Sequence, residues 1–304
     1  MGEPAGIGPE VAVAAFRALG GRIGEHPLTL VGDADVFKAC GFSDTAAIVA
    51  TKAKAARVPS KPDARNVPAV IEAIETAVAM AQSGVGAAVV TAPINKAVLV
   101  EGGFAYPGHT EFLEALTKAP RAVMMLASDT LRVVPLTIHM PLTEVPRSIS
   151  TAAIVETGEI VLAALARDFG IVKPRLSVAG LNPHAGEDGV LGKEDAAIIA
   201  PAIAALRAKG HDVRGPLSAD TLFHAEARSR YDAALCMYHD QALIPIKTLS
   251  FWDGVNVTLG LQIVRTSPDH GTAFDIAGTG KADARSMIAA IRMAAQMADA
   301  RGLK

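Results

Sequence analysis

The chain has 304 residues, enough for one large domain or two medium ones around a sizeable core. Charged residues make up 20% and sum to a formal net charge of −2, so no global basic field exists to hold a nucleic acid or an anionic membrane. Only Cys40 and Cys236 occur, at no metal or redox spacing, every apolar stretch breaks before the roughly 18 residues of a membrane span, and no cationic-then-apolar leader opens the sequence; a reduced, cytoplasmic protein is expected.

In chain order, the Gly-rich stretch Gly2-Glu3-Pro4-Ala5-Gly6-Ile7-Gly8-Pro9-Glu10 comes first and runs into a helix over 11–19. Such loops ordinarily follow a strand. The expectation is that a first strand is missing ahead of Met1. Short β-branched or apolar runs then predict strands at 28–31, 87–90, 122–126, 133–138, 175–179 and 233–237. Helix-like segments lie between them at 68–83, 109–117, 154–168 and 195–209. This alternation predicts an α/β fold whose sheets are mainly parallel and covered by helices on both faces. No linker or internal repeat marks a boundary. Two lobes are drawn at the glycines near 102–108 and 271–280: residues 1–105 plus 275–304, and residues 106–274.

Three histidines stand in the same relation to predicted strands: His139 in Leu136-Thr137-Ile138-His139, His184 in Leu181-Asn182-Pro183-His184 and His239 in Met237-Tyr238-His239-Asp240-Gln241. Each lies just past a strand's C-terminal end, the edge at which open parallel sheets bind ligands. Three neutral imidazoles there suit a divalent metal with an open position for substrate or water. The bland alternative is three separately hydrogen-bonded surface residues, and the long separations match no local zinc motif. His26, His211 and His224 lack this placement and are expected to be solvated.

Lys247, Asn256 and Arg265 follow at nine-residue intervals among apolar neighbours. A cation on an apolar strand needs a partner, either a phosphate or carboxylate ligand or an internal salt bridge. Gly108-His109-Thr110-Glu111 opens a helix, whose first N–H groups and dipole favour an anion; an ordinary cap by Thr110 is the alternative. The stretch from Asp269 to Lys281 is rich in Gly and Thr, with His270, Gly271, Thr272, Ala273, Asp275 and Gly278 able to bring backbone close to a nucleotide. It lacks the spacing of a Rossmann fingerprint, and a mere turn is the other reading.

The blocks 2–10, Thr91-Ala92-Pro93-Ile94-Asn95-Lys96, 108–112, 181–186, Ala219-Asp220-Thr221-Leu222-Phe223, 238–241 and 256–260 together resemble, over the whole length, the 4-hydroxythreonine-4-phosphate dehydrogenase family of vitamin B6 synthesis. The resemblance implies a two-lobed fold like that of isocitrate and isopropylmalate dehydrogenases, with 270–280 as the nucleotide loop for NAD or NADP. It implies one divalent metal, Zn, Mg or Co, on His139, His184 and His239, the third supplied by the neighbouring subunit, and hence a homodimer. Substrate contacts carry over to His109, Thr110, Lys247, Asn256 and Arg265. The implied reaction is oxidation of 4-phosphohydroxy-L-threonine to a β-keto acid that decarboxylates to 3-amino-2-oxopropyl phosphate, with Asp220, Asp240 and Lys247 as candidate bases. Rivals are a paralogous dehydrogenase of threonate or erythronate 4-phosphate or of a cyclic diol, metal-dependent hydrolysis at the same histidines, and a non-enzymic metal- or phosphoester-binding protein. The chain departs from the family in opening inside its first motif, and lower stability or cofactor affinity is expected from that.

Overall fold

The computed structural model describes residues 1–303. They cluster into two compact units: unit 1 is Met1–Ala122 with the chain from Leu261 onward, and unit 2 is Val123–Gly260. No single helix among the described residues is long and apolar enough to cross a membrane.

Unit 1 opens with α1 (Gly8–Ala18), which carries Pro9 in its first turn, where a missing N–H costs nothing, and Glu10 where the helix dipole favours an acid. A short hairpin, β1 (Arg22–Ile23) with β2 (His26–Pro27), leads to β3 (Leu30–Gly32), α2 (Ala34–Ala39) and β4 (Ile48–Ala50), the last parallel to β3. The Asp33 carboxylate caps α2 by accepting from Asp35 N. Helix α3 (Val67–Gln82) buries Val67, Val70, Ile74 and Val78, the three- and four-residue spacing of one helical face. Then come β5 (Ala88–Val90), α4 (Lys96–Glu101) and α5 (His109–Thr117). An apolar cavity of about 370 Å³ lies in this unit, walled by Leu30, Val31, Ile74, Val89, Met287 and Ala294.

Unit 2 contains β6 (Val123–Ala127), β7 (Arg132–Pro135), α6 (Val145–Ser148), α7 (Thr151–Asp168), β8 (Arg175–Ala179), α8 (Ala200–Ala208), β9 (Asp212–Leu217), α9 (Ala225–Arg228), β10 (Ala233–Cys236), α10 (His239–Leu249) and β11 (Val255–Leu259). Its strands lie in the order β11-β6-β7-β10-β8-β9. The run β7-β10-β8-β9 is parallel, and β6 is antiparallel to both β7 and β11. The antiparallel step has a local cause: four residues separate β6 from β7, closed by Ser128 N donating to Leu131 O at 2.9 Å, too few for a crossover. All four residues of β10 are buried, as an interior parallel strand requires. The helix expected over 195–209 begins instead with a wider, π-type turn at Asp195–Ile199. There the Asp195 carboxylate is occupied by Leu181 N and Asn182 N. Strand β9 was not anticipated, because its polar and Gly-Pro composition hides the alternation.

The chain returns to unit 1 through β12 (Val264–Pro268), fully buried and parallel to β5 with Arg265 opposite Val89, and ends in α11 (Arg285–Ala300) packed on β12. These units differ from the lobes drawn at the glycines. Helix α5 packs on α3 and β12 pairs with β5, so both belong with unit 1, although they were drawn in the 106–274 lobe.

Candidate active site

Strands β7, β10 and β8 are neighbours running the same way, so the segments leaving their C-terminal ends share one edge of the sheet. His139, His184 and His239 leave from that edge. His139 and His184 have left-handed backbones, with φ of 49° and 52°, a conformation that costs energy for a residue with a side chain and concentrates at functional sites. The His139 and His239 rings approach to 5.8 Å between centroids. Two imidazoles bound to one ion, with metal–nitrogen distances of about 2 Å, stand at such a separation. His184 does not join them within one chain. Among the described residues no group of three His, Cys, Asp or Glu side chains is close enough to hold an ion. The donor chemistry of the His139–His239 pair fits a divalent metal; its completion needs a further ligand.

His239 is the first residue of α10, and its Nδ1 lies 2.7 Å from Asp240 Oδ1. With a carboxylate at Nδ1, that nitrogen carries the proton and Nε2 presents its lone pair outward. Asp220 accepts from Ser218 Oγ at 2.6 Å, and this bond, with weaker help from backbone N–H groups and His184, holds its carboxyl below the usual range. Lys247 lies two turns along α10 from His239, and His239, Asp240, Leu243, Ile244, Lys247 and Thr248 line one shallow pocket. Asn256 sits on β11, opposite Leu126 of β6.

In unit 1, His109 begins α5, and its Nε2 is enclosed without a hydrogen-bond partner. Burial, reinforced by the charge of Arg265, pushes its pKa well below 6.5, so the ring is neutral. Arg265, on β12, is 4% exposed, and its Nη2 donates to Thr91 Oγ1 at 2.6 Å. Burial pulls its pKa down to about 10, which leaves it charged at neutral pH. A helix N-terminus, a buried guanidinium and a neutral imidazole in one place make a seat for an anion. Thr110 follows His109 in the first turn of that helix. The partnership of Thr91 with Arg265 was hidden in the sequence, since 174 positions separate them.

The loop 270–280, also in unit 1, is held at several points. Thr272 O accepts from Ile7 N at 2.9 Å, and a Cβ on Gly6 would stand 2.7 Å from Thr272 O, so only glycine lets the two segments meet. Gly278 N donates to Glu10 Oε1 at 2.8 Å, and Glu10 pairs with the buried Arg57, which also donates to Gly6 O at 2.9 Å. Ser60 Oγ donates to Phe274 O. Ala273 adopts φ of 42°. His270 keeps Nδ1 3.0 Å from Gly271 O, and Asp275 lies in the turn that follows. The pairing of Glu10, which closes the opening Gly-rich stretch, with Arg57 escaped the sequence reading because 47 positions separate them. His26, expected to be solvated, is instead only 12% exposed, with Nε2 2.9 Å from Asp299, because β2 tucks it against α11.

Comparison with known proteins bears on this geometry. Residues 24–294 match the family described as pyridoxal phosphate biosynthetic protein PdxA. The 4-hydroxythreonine-4-phosphate dehydrogenase of Roseobacter denitrificans is 56% identical over 98% of this chain and 95% of its own. The crystal structure of the enzyme so named from Klebsiella pneumoniae superposes with a TM-score of 0.87 at 38% identity, covering 98% of both chains. A terephthalate 1,2-cis-dihydrodiol dehydrogenase from Burkholderia xenovorans superposes with a TM-score of 0.69 at 29% identity, over 97% of this chain and 96% of that one. On full-length similarity and the shared α/β fold, the chain belongs to the pyridoxal phosphate biosynthetic protein PdxA family of dehydrogenases.

Proposed function

We propose that the chain is a metal-dependent, NAD- or NADP-linked dehydrogenase of 4-phosphohydroxy-L-threonine. It forms a β-keto acid that decarboxylates to 3-amino-2-oxopropyl phosphate, in pyridoxal 5'-phosphate synthesis within the cytoplasm. One observation carries this reading beyond the family match: three histidines leave one edge of three adjacent parallel strands, two with their rings together. A divalent cation, Zn, Mg or Co, on His139, His184 and His239 supplies Lewis acidity toward a substrate hydroxyl, and a nicotinamide against 270–280 supplies the hydride acceptor.

The chain's own residues do the rest. Arg265, His109 and the N-terminus of α5 hold the phosphate, with Thr110, Lys247 and Asn256 as further substrate contacts. Asp240 orients His239 through the 2.7 Å contact and is thereby engaged. That leaves Asp220 and Lys247 to accept the hydroxyl proton, and the pH profile of Asp220→Asn against Lys247→Met separates them. As the family resemblance implies, a second copy completes the site and the protein acts as a homodimer; the described residues of one chain, which bring His139 and His239 together but form no group of three, fit that arrangement.

A second reading is a paralogous dehydrogenase of threonate or erythronate 4-phosphate or of a cyclic diol, and the resemblance to the terephthalate dihydrodiol dehydrogenase favours the last of these. Incubating the purified chain with each candidate alcohol, NAD or NADP, and each metal, and following reduced nicotinamide by absorbance, tests both. Turnover of 4-phosphohydroxy-L-threonine with the highest kcat/KM is expected. A higher kcat/KM for a diol or for a sugar-acid phosphate would replace this reading with the second, and no reduction with any of them would reject both.

A further inference from the structure

Met237 follows the last residue of β10, two residues before His239, and both of its backbone polar groups are bonded to side chains. Its N donates to Gln241 Oε1 at 2.7 Å, and its O accepts from Thr137 Oγ1 at 2.8 Å. Gln241 reaches further: its Nε2 donates to Gly180 O at 2.7 Å. Gly180 is the first residue after β8, four residues before His184, and Thr137 lies two residues before His139. Thr137 and Gln241 are 7% and 8% exposed, so these are enclosed bonds shielded from competing water. The bonds form a continuous line, Thr137–Met237–Gln241–Gly180, across the C-terminal ends of the three strands that carry the histidines. The backbone adds to it, since Leu136 N donates to Cys236 O at 2.8 Å and Leu181 N and Asn182 N donate to the buried Asp195 carboxylate.

The chemistry of the line restricts its members. Position 241 must accept from an N–H and donate to a carbonyl at once, which a carboxamide does and a carboxylate does not. Position 137 must donate from a short side chain, which a hydroxyl does. We propose that Thr137 and Gln241 are positioning residues for the metal site, holding the three histidine-bearing segments of each chain in register so that each chain presents its imidazoles correctly to the ion sites that two chains share. The proposal rests on the reading of His139, His184 and His239 as metal ligands. Neither residue touches the ion or the substrate. Both act by fixing backbone that would otherwise relax, most directly at His139, whose left-handed φ needs rigid surroundings to persist.

The test is binding of Co²⁺ alone to the chelator-treated full chain, by titration calorimetry and by the visible absorption of bound Co²⁺, for wild type, Thr137→Val, Thr137→Ser and Gln241→Met. The valine and methionine variants keep shape and lose the bonds. They should bind Co²⁺ about ten- to a hundredfold more weakly, with an altered spectrum, as removal of ligand-orienting partners does. Thr137→Ser, which keeps the hydroxyl, should restore the wild-type spectrum. Valine and methionine variants that retain the far-UV circular dichroism of the wild type and bind Co²⁺ as tightly would overturn the proposal. If Gln241→Met does not fold, the near-isosteric Thr137 pair decides alone. Co²⁺ binding by His139→Ala or His239→Ala equal to wild type, or none by wild type, overturns the metal reading itself and this inference with it.

Discussion

At His109 and Arg265 two effects of burial oppose one another to useful purpose. Desolvation keeps the imidazole neutral and weakens the guanidinium's hold on its proton, yet with a pKa near 10 Arg265 stays cationic, so the seat offers one fixed positive charge. A charge-assisted bond from that cation to a phosphate contributes about 1.5–3 kcal/mol. Arg265→Ala should therefore raise the KM for the phosphorylated substrate on the order of ten- to a hundredfold while leaving the KM for nicotinamide nearly unchanged; equal losses for both ligands would reject the assignment. His109 gives a pH prediction. In the unfolded chain its imidazole titrates near 6.5, and in the folded chain it stays neutral well below that. As pH falls below 6.5 the unfolded chain takes up a proton that the folded one refuses, so this group's contribution to stability is intact above that pH and is lost progressively beneath it. Urea unfolding at about pH 7 and about pH 5.5 should show His109→Gln losing less stability between the two than wild type does.

At the scale of elements, small residues govern how strand ends and helices meet in unit 2. A Cβ on Gly180 would stand 2.8 Å from Asp195 Oδ1 and 2.9 Å from Ala185 Cα, so backbone carrying the His184 turn would have to move. Gly158, inside α7, would place its Cβ 2.8 Å from Leu206 Cδ1 on α8, the mobile end of a side chain that can swing aside. The two substitutions should part company under urea unfolding. Gly180→Ala should cost about 1–3 kcal/mol, the usual price of forcing atoms into a filled site. Gly158→Ala should come out close to neutral, because about 1 kcal/mol of helix propensity offsets the shift of Leu206. A Gly180→Ala variant as stable as wild type would mean that the turn at 184–188 is slack rather than set.

At the scale of the whole molecule, the proposed ligand set is the point at which a second copy enters, since among the described residues of one chain no three metal-binding side chains group together. Light scattering should find a dimer, and chelator treatment should abolish turnover, with recovery on adding Zn²⁺, Co²⁺ or Mg²⁺. Mixing the His139→Ala, His184→Ala and His239→Ala chains in pairs carries more information. When two altered ligands of one site come from different chains, a mixed dimer keeps one intact site of its two; when they come from the same chain, it keeps none. At least one pairwise mixture should therefore regain activity after subunit exchange, and the pairs that do so identify the histidine that crosses. Exchanged mixtures that all stay inactive would show that ligands are not shared.

Much of this was legible in the sequence because it depends on local rules. The apolar runs at 175–179 and 233–237, the helix start at Pro68 and the position of each histidine just past a strand follow from periodicity and from what each residue permits its own backbone. The whole-length family blocks added the chemistry that such spacing leaves open. What the sequence did not disclose are relations between distant residues: the order β7-β10-β8 that sets the histidines side by side, the Thr91–Arg265 bond, the Glu10–Arg57 staple under the 270–280 loop, and the joint hold of Thr137 and Gln241 on Met237. Side-chain pattern along one strand says which face is buried but not which strand lies beside it. That choice is made only when all the elements pack together, so the histidines as a list belong to the sequence, and their common edge belongs to the tertiary structure.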